Sequence, residues 1–267
     1  MTGLVSTFEA TPWLYFIIEE TYLCPKASIM KERDRIVTAF NEMSQRYETK
    51  MNNELNRFWG WSYEEFVNIL LENVQIKSTD AILDIATGTS VIPIRLINTY
   101  PNLKQIVGLD ITWSMLLKSR QNTSSKFDEG RIKLVCGTAL AMPLLGSSFD
   151  IVLCGLATHH MEVRNLLTEI HYVLKPHGKL AIADVGGARS WKNPIIKTLI
   201  RILAFIYFFF TESKSRAWVE ASALTNIRTA QEWQAVLQEL GFNDIAVSEM
   251  QSKKSWMPNP IIINAKK

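Results

Sequence analysis

Cysteine is scarce in this chain: Cys24, Cys136 and Cys154 are the three among 267 residues. Their number is odd and no C-x-x-C spacing occurs, which argues against a disulfide framework or a zinc site and sets reduced, cytosolic thiols as the expectation. Of four histidines only His159 and His160 are neighbours, so no metal is expected. Like charges do not cluster either. The 29 basic and 26 acidic residues are scattered, with a net charge of +3, and the basic stripe that nucleic-acid binding needs is missing. No internal repeat or low-complexity tract is present. The aromatic-rich stretch from Thr11 to Leu23 lacks a basic leader region and a small-residue cleavage site. It is also too short to span a bilayer, so it reads as a docked helix.

The composition, 47% hydrophobic over 267 residues, is that of one large α/β domain with an added cap. The stretch that organises it is Ala81 to Ser90, AILDIATGTS. A short apolar run reads as a buried parallel strand, Thr87-Gly88-Thr89-Ser90 breaks it, and an apolar helical pattern starts at Val91. Such a turn puts backbone N–H groups and a helix N-terminus at the carboxyl end of a central strand, where α/β folds hold nucleotide-like ligands. A dinucleotide fingerprint has an apolar residue where this chain has Asp84; a carboxylate there suits a ligand carrying cationic groups. Gln105 to Leu109 reads as a second strand ending in Asp110, 26 positions after Asp84. That is close to the strand-helix-strand spacing of an acid that accepts ribose hydroxyls.

LDIATGTS resembles the first motif of class I S-adenosylmethionine-dependent methyltransferases, and ATGT is similar to the variant in the ubiquinone/menaquinone C-methyltransferase group. Where the broad pattern is D-x-G-x-G-x-G, this chain has Asp84, Ala86, Gly88 and Ser90. The two replacements still permit close ligand approach but lack glycine's freedom to take positive φ. Further matches follow in family order. Ala39 to Asn52 resembles that group's F-x-x-x-A-x-x-Y-D-x-x-N stretch, which implies that Tyr47 faces the cofactor or acceptor. Ile111 to Leu116 resembles D-x-S-x-x-M, which implies Ile111 against the adenine. Gly137 to Val152 resembles G-D-A-x-x-L-P-F-x-x-x-S-F-D-x-V, with Thr138 in place of the aspartate that accepts from the adenine amino group; a hydroxyl accepts that bond more weakly. Glu169 to Leu180 resembles E-x-x-R-V-L-K-P-G-G-x-L. The resemblance thus implies S-adenosylmethionine as cofactor, bound by Asp84, Ala86, Thr87, Gly88, Thr89, Asp110, Ile111, Thr138, Ala139 and Cys154. It also implies a Rossmann-like α/β fold with a seven-stranded, mostly parallel sheet.

The expected organisation is an N-terminal helical arm with entry helices over 1–71 and a methyltransferase domain over 72–267, with a cap inserted at about 190–228. Within the cap, Asn193-Pro194 opens a helix whose span Ile195 to Phe210 is apolar apart from Lys197, Thr198 and Arg201. Its broad apolar surface must meet protein, substrate or a membrane interface, and a buried cap helix is the expectation. Thr229 to Leu240 reads as an amphipathic helix closed by Gly241, followed by strands Ile245 to Ser248 and Ile261 to Ala265.

The implied reaction is methyl transfer to a carbon of a hydrophobic small molecule, a prenylated ring or polycyclic natural product. Oxygen or nitrogen of a similar acceptor is the alternative, and a non-catalytic cofactor-binding scaffold is the reading from a different class. His159 and His160, in the loop after the fourth strand, are the candidate general bases, with Tyr47 as a further catalytic candidate. Homo-oligomerisation through the arm is a further expectation.

Overall fold

The computed structural model describes residues 27–72, 74–103, 105–124, 131–254 and 257–267. The arm from Thr11 to Leu23, with Trp13, Tyr15 and Phe16, lies outside the described residues, and so does the subunit contact expected of it.

Three helices open the described chain: α1 (Ala27–Met43), α2 (Tyr47–Trp59) and α3 (Tyr63–Glu72). Gly60 ends α2 in the left-handed region at φ 77°, returning its N–H to the Asn56 and Leu55 carbonyls, the helix stop that glycine supplies without a Cβ penalty. Then come β1 (Ala81–Ile85), α4 (Val91–Thr99), β2 (Gln105–Asp110), α5 (Trp113–Ser124), β3 (Ile132–Cys136), β4 (Phe149–Gly155), α6 (Val163–Val173) and β5 (Leu174–Asp184). The cap follows as α7 (Pro194–Thr211) and α8 (Lys214–Ala223), and the chain closes with α9 (Ala230–Glu239), β6 (Asn243–Glu249) and β7 (Ile261–Lys266).

The strands form one sheet in the order β3-β2-β1-β4-β5-β7-β6. β1 to β5 are parallel, and β7 is antiparallel to both β5 and β6. β1 is central, and the order reverses beside it, so its carboxyl end faces the crevice where open α/β sheets bind ligands. Both sheet faces are covered, which is why the central strands read as continuous apolar runs. On one face Leu83, Ile85, Val152 and Ile182 pack under α6 and α9, including Trp233. On the other, Ile82, Ile106 and Ile151 pack against Phe66 and Leu70 of α3 and Leu96 of α4.

The turn that follows α6 is taken up within β5. Leu174 pairs with Phe149, the register shifts, and pairing resumes at Ile151 with Lys179, with His177 at φ 64° absorbing the bend.

One expectation is corrected. α7 begins as the sequence indicates, with the Asn193 side chain accepting from Ile195 and Ile196 N–H and Pro194 in the first turn, but it is not a buried cap helix. Only Phe208 of its residues is buried, and Phe210 is 80% exposed and Ile195 69% exposed. α7 rests on α8 and the turn after it along one edge, where Lys197 Nζ donates to the Thr225 carbonyl and Arg201 Nε to the Ala221 carbonyl, and near its end Tyr207 packs edge-on against Phe58 of α2. Its apolar residues run almost all the way round, more than one neighbouring helix can cover.

Candidate active site

Asp84 stands at the end of β1, wholly buried. Burial pushes its carboxyl up to about 7, and the nearby Asp110 adds to the rise while Thr87 opposes it. The turn that follows has Ala86 at φ 53°, Gly88 at φ 54° and Ser90 at φ 67°. The backbone therefore keeps the left-handed conformations that glycine would adopt freely, although two of the three residues carry a Cβ, at about 1–2 kcal/mol each. Their surroundings hold them there: Ser90 Oγ lies 2.5 Å from Ser119 Oγ, and Asp110 at the end of β2 accepts from Gly88 N–H at 2.9 Å and from Thr112 N–H at 2.7 Å. Burial raises the Asp110 carboxyl even against these two bonds.

Four oxygens around this turn, both of Asp84 and the hydroxyls of Thr87 and Thr89, are buried with no hydrogen-bond partner among the described residues apart from the contact between Thr87 and Asp84. Orphaned buried acceptors are costly and rare. A set of acceptors that includes a buried carboxyl, whose ionised form a cationic partner favours, fits a ligand with cationic, hydrogen-bond-donating groups, as S-adenosylmethionine has. Tyr47 approaches from the other side: a Cβ placed on Gly88 would lie 3.6 Å from its ring. The glycine therefore leaves room between the turn and the aromatic wall, and a ring face suits a sulfonium. Burial holds the Tyr47 phenol far above its ordinary value, so it is a neutral donor.

The remaining cofactor candidates lie at the ends of neighbouring strands. Ile111 follows β2, half-buried. Thr138 and Ala139 follow β3, where the Thr138 hydroxyl accepts from Leu140 N–H at 3.2 Å. Cys154 is fully buried in β4 opposite Ile85 and Ile182, on the sheet face under α6.

Beside the turn lies a cavity of about 700 Å³ lined mainly by apolar side chains of α2, α7 and the loop after β5, among them Leu55, Phe58, Leu203, Tyr207 and Phe208. Its polar wall brings together Tyr47, His159, His160, Glu54, Arg216 and Glu220. His159 Nδ1 donates to Asp184 Oδ1 at 2.6 Å. Asp184 also accepts from the His159 N–H at 3.0 Å, the Val185 N–H at 2.7 Å and the Thr158 hydroxyl. Burial opposes charge on His159, but the Asp184 carboxylate outweighs it and the imidazole is raised above its ordinary value. Burial also acts on Asp184, and His159 with the other donors overcomes it, holding this carboxyl below the usual range. His160 is the opposite case: burial, the neighbouring His159 and Arg216 all push it well down, so it is neutral. With Nδ1 committed to Asp184, His159 keeps Nε2 as its basic atom.

Arg216 is buried between Glu220 at 3.0 Å and Glu54 at 3.2 Å, its guanidinium 5.2 Å from the Phe40 ring centre and 5.6 Å from that of Phe208. Burial pushes Glu54 up to about 7, Arg216 opposes this, and Glu220 and Glu212 add to it. Glu220 also meets the histidine pair, its oxygen 3.5 Å from His160 Nε2. His159, His160 and Glu220 could converge on a cation, but Arg216 already supplies the positive charge against Glu220.

Sequence reasoning brought Asp84, Asp110, Tyr47 and the histidines to one end of the sheet and missed Asp184, Glu54, Arg216 and Glu220. A signal existed for Asp184: LAIAD, Leu180 to Asp184, is an apolar strand ending in an acid, as are AILD and IVGLD. Arg216 and Glu220 are spaced four apart on one helix, a signal of a pair, but nothing in the sequence marks Glu54, 162 positions away, as their partner.

Residues 83–182 match the family model described as methyltransferase domain. The chain is 26% identical over 230 residues to demethylmenaquinone methyltransferase of Staphylococcus epidermidis, covering 81% of this chain and 88% of that protein. It is 24% identical over 222 residues to a ubiquinone/menaquinone biosynthesis C-methyltransferase of Geobacter sulfurreducens, covering 82% of this chain and 84% of that one. In fold it is similar to phosphoethanolamine N-methyltransferase 2 of Haemonchus contortus, solved in complex with S-adenosyl-L-methionine. The TM-score is 0.60 at 17% identity, covering 85% of this chain and 60% of that chain. The strand order, the turn with its buried acceptors and these relatives agree: the chain is an S-adenosylmethionine-dependent methyltransferase that resembles the ubiquinone/menaquinone C-methyltransferases.

Proposed function

We propose that the methyl group goes to a ring carbon of a hydrophobic small molecule, a prenylated ring or polycyclic natural product bound in the cavity beside Tyr47. The observation that carries this reading is the cavity itself: about 700 Å³, walled mainly by aromatic and aliphatic side chains, with one concentrated polar wall. Apolar pockets with a few convergent polar groups bind and orient apolar ligands. The named activities of the Staphylococcus and Geobacter relatives support carbon as the site.

Asp84, Thr87 and Thr89 offer the acceptors for the cationic groups of S-adenosylmethionine, and Asp110 holds the Gly88 turn in shape while retaining lone pairs for ribose hydroxyls. When bound, that cofactor supplies a methyl group activated by positive sulfur. His159, oriented by Asp184, takes the proton of a ring hydroxyl at Nε2, which places electron density on the adjacent ring carbon. Arg216, on the same wall and shared with Glu54 and Glu220, lends part of its positive charge to the developing oxyanion. As the ring carbon bonds to the methyl group, the methyl–sulfur bond would break with its electron pair left on sulfur; His159 then returns its proton to the ring oxygen, accepts the proton of the methylated carbon at the same Nε2 and releases it to solvent, which restores the ring and its hydroxyl. Such reactions depend chiefly on positioning and desolvation, which the apolar walls provide.

The test is transfer of tritium from methyl-labelled S-adenosylmethionine to a panel of acceptors graded by hydrophobicity. The reading predicts that turnover is confined to bulky apolar hydroxylated rings. Turnover of small polar acceptors alone would overturn it.

A further inference from the structure

We infer that α7 seats this protein on an anionic membrane surface, lying flat with its outer face among the acyl chains and its inner face closing the acceptor cavity. This rests on the reading of the cavity as an acceptor site and says where that acceptor comes from.

The outer face is continuous. Ile195, Leu199, Ile202, Ile206, Phe209 and Phe210 all point away from the protein, from 45% to 80% exposed. An apolar stripe of this length on a folded protein marks a surface made to be covered. Ile200, Ala204, Tyr207 and Phe208 on the opposite side line the cavity. Leu203 does both, 65% exposed and part of the cavity wall, so the cavity and the outer stripe share a seam.

Charge selects the occupant. From Arg189 to Lys214 the sequence carries five basic residues and one acid, and that acid, Glu212, is paired with Lys50. Lys197 and Arg201 border the stripe on the α8 side. Arg57 borders it on the other, 5.8 Å from the Tyr207 ring centre. Arg35 lies 5.5 Å from the ring centre of Trp218, a tryptophan 44% exposed that packs edge-on against Phe205. Apolar side chains between basic residues, with an aromatic at the boundary, match acyl chains beneath a layer of anionic headgroups. A second copy of the chain would instead bring two sets of these arginines together. Spanning the bilayer fits less well. At 1.5 Å per residue, 18 residues reach about 27 Å, short of a hydrocarbon core of about 30 Å, and one side of α7 is committed to α8 and the cavity.

The experiment is flotation of the full chain with vesicles of phosphatidylcholine alone or of equal parts phosphatidylcholine and phosphatidylglycerol, without acceptor. No turnover is read, so its failure is distinct from failure of the acceptor reading. The wild type is expected to float with the mixed vesicles and much less with the neutral ones. A Leu199→Ser/Ile206→Ser/Phe210→Ser variant should lose at least about tenfold in partitioning, because three large apolar side chains no longer enter the acyl layer. Far-UV circular dichroism and cofactor binding should be unchanged, as none of the three lines the cavity or the core. Arg35→Glu, on a different helix, should weaken binding to the mixed vesicles only. The inference is overturned if the wild type floats with neither vesicle or if the triple variant floats like the wild type. It is also overturned if light scattering shows a wild-type dimer that the triple variant dissociates, which would assign the stripe to a second copy.

Discussion

Replacing Asp184 by asparagine keeps the shape of the site while removing the charge that raises His159. In the structure one carboxylate oxygen accepts from His159 Nδ1 at 2.6 Å, with the ring largely buried. A charge-assisted hydrogen bond of this kind contributes about 1.5–3 kcal/mol, and one pKa unit is about 1.36 kcal/mol. The imidazole, raised by Asp184, should therefore fall back in Asp184→Asn. As a base, His159 must be neutral, so the wild-type rate of methyl transfer should rise with pH through an inflection above the ordinary histidine value of about 6.5. In the variant that inflection should move down. The plateau rate should drop as well, because asparagine does not fix the Nδ1–H tautomer, and His159→Ala should lose about 10²–10⁴ in turnover. The pair also links stability to pH. The raised His159 contributes stability below its unfolded value that is lost as pH rises through its folded value. The depressed Asp184 contributes stability above its unfolded value that is lost as pH falls through its folded value. One interaction thus stabilises the fold chiefly between the two unfolded values, about 3.9 and 6.5. The assay is single-turnover methyl transfer from pH 5.5 to 9 at saturating cofactor. An unmoved inflection in Asp184→Asn would refute the dyad, and near-normal turnover in His159→Ala would refute the base.

Asp84 should link cofactor binding to pH. Burial lifts its carboxyl to about 7, and a cationic partner favours the ionised form, so affinity should fall by up to about tenfold per unit below pH 7. Titration calorimetry in two buffers should detect the proton released on binding, and Asp84→Asn should abolish that release. Asp110→Ala should weaken cofactor binding by roughly ten- to a hundred-fold and also lower the melting temperature, since it leaves the Gly88 and Thr112 N–H groups unpaired; unchanged affinity would remove Asp110 from the site. Ala86→Gly should stabilise the protein by about 0.5–1 kcal/mol in urea titration, because relief of the positive φ exceeds the unfolded-state entropy that glycine adds. A destabilised Ala86→Gly would show that the methyl group makes contacts the turn requires.

The sheet was legible because it is built from local signals. β2 at Gln105–Asp110 and the start of α4 at Val91 fall where the apolar runs and their boundaries put them, and the helix read from Thr229 opens there, with Thr229 and Glu232 forming a capping box. Strand-terminal acids were legible for the same reason, which is how Asp84 and Asp110 came to mark the cofactor end. The acceptor wall was less so. Arg216 and Glu220 are an i,i+4 pair on α8, but Glu54 joins them only because α8 packs against the entry helices, and no period in the sequence encodes a contact between residues 162 positions apart. The exposure of α7 was misread for a related reason: hydrophobicity states that a face will be covered, not by what. Ala86 and Ser90 carry the complementary lesson. Their side chains argue against positive φ, yet Asp110 and Ser119 hold the turn in the glycine-like form, so tertiary contacts overrode local preference.

Where the label ends up tests the account most directly. S-adenosylmethionine carrying a carbon-13 methyl group would be turned over by wild type and by His159→Ala with a prenylated hydroxylated ring, and the product examined by carbon-13 and proton correlation spectroscopy. The account predicts the label on a ring carbon, next to a free hydroxyl, formed by the wild type and at least about a hundred-fold more slowly by His159→Ala. Label found only on oxygen, or formed at the same rate by both proteins, would contradict it.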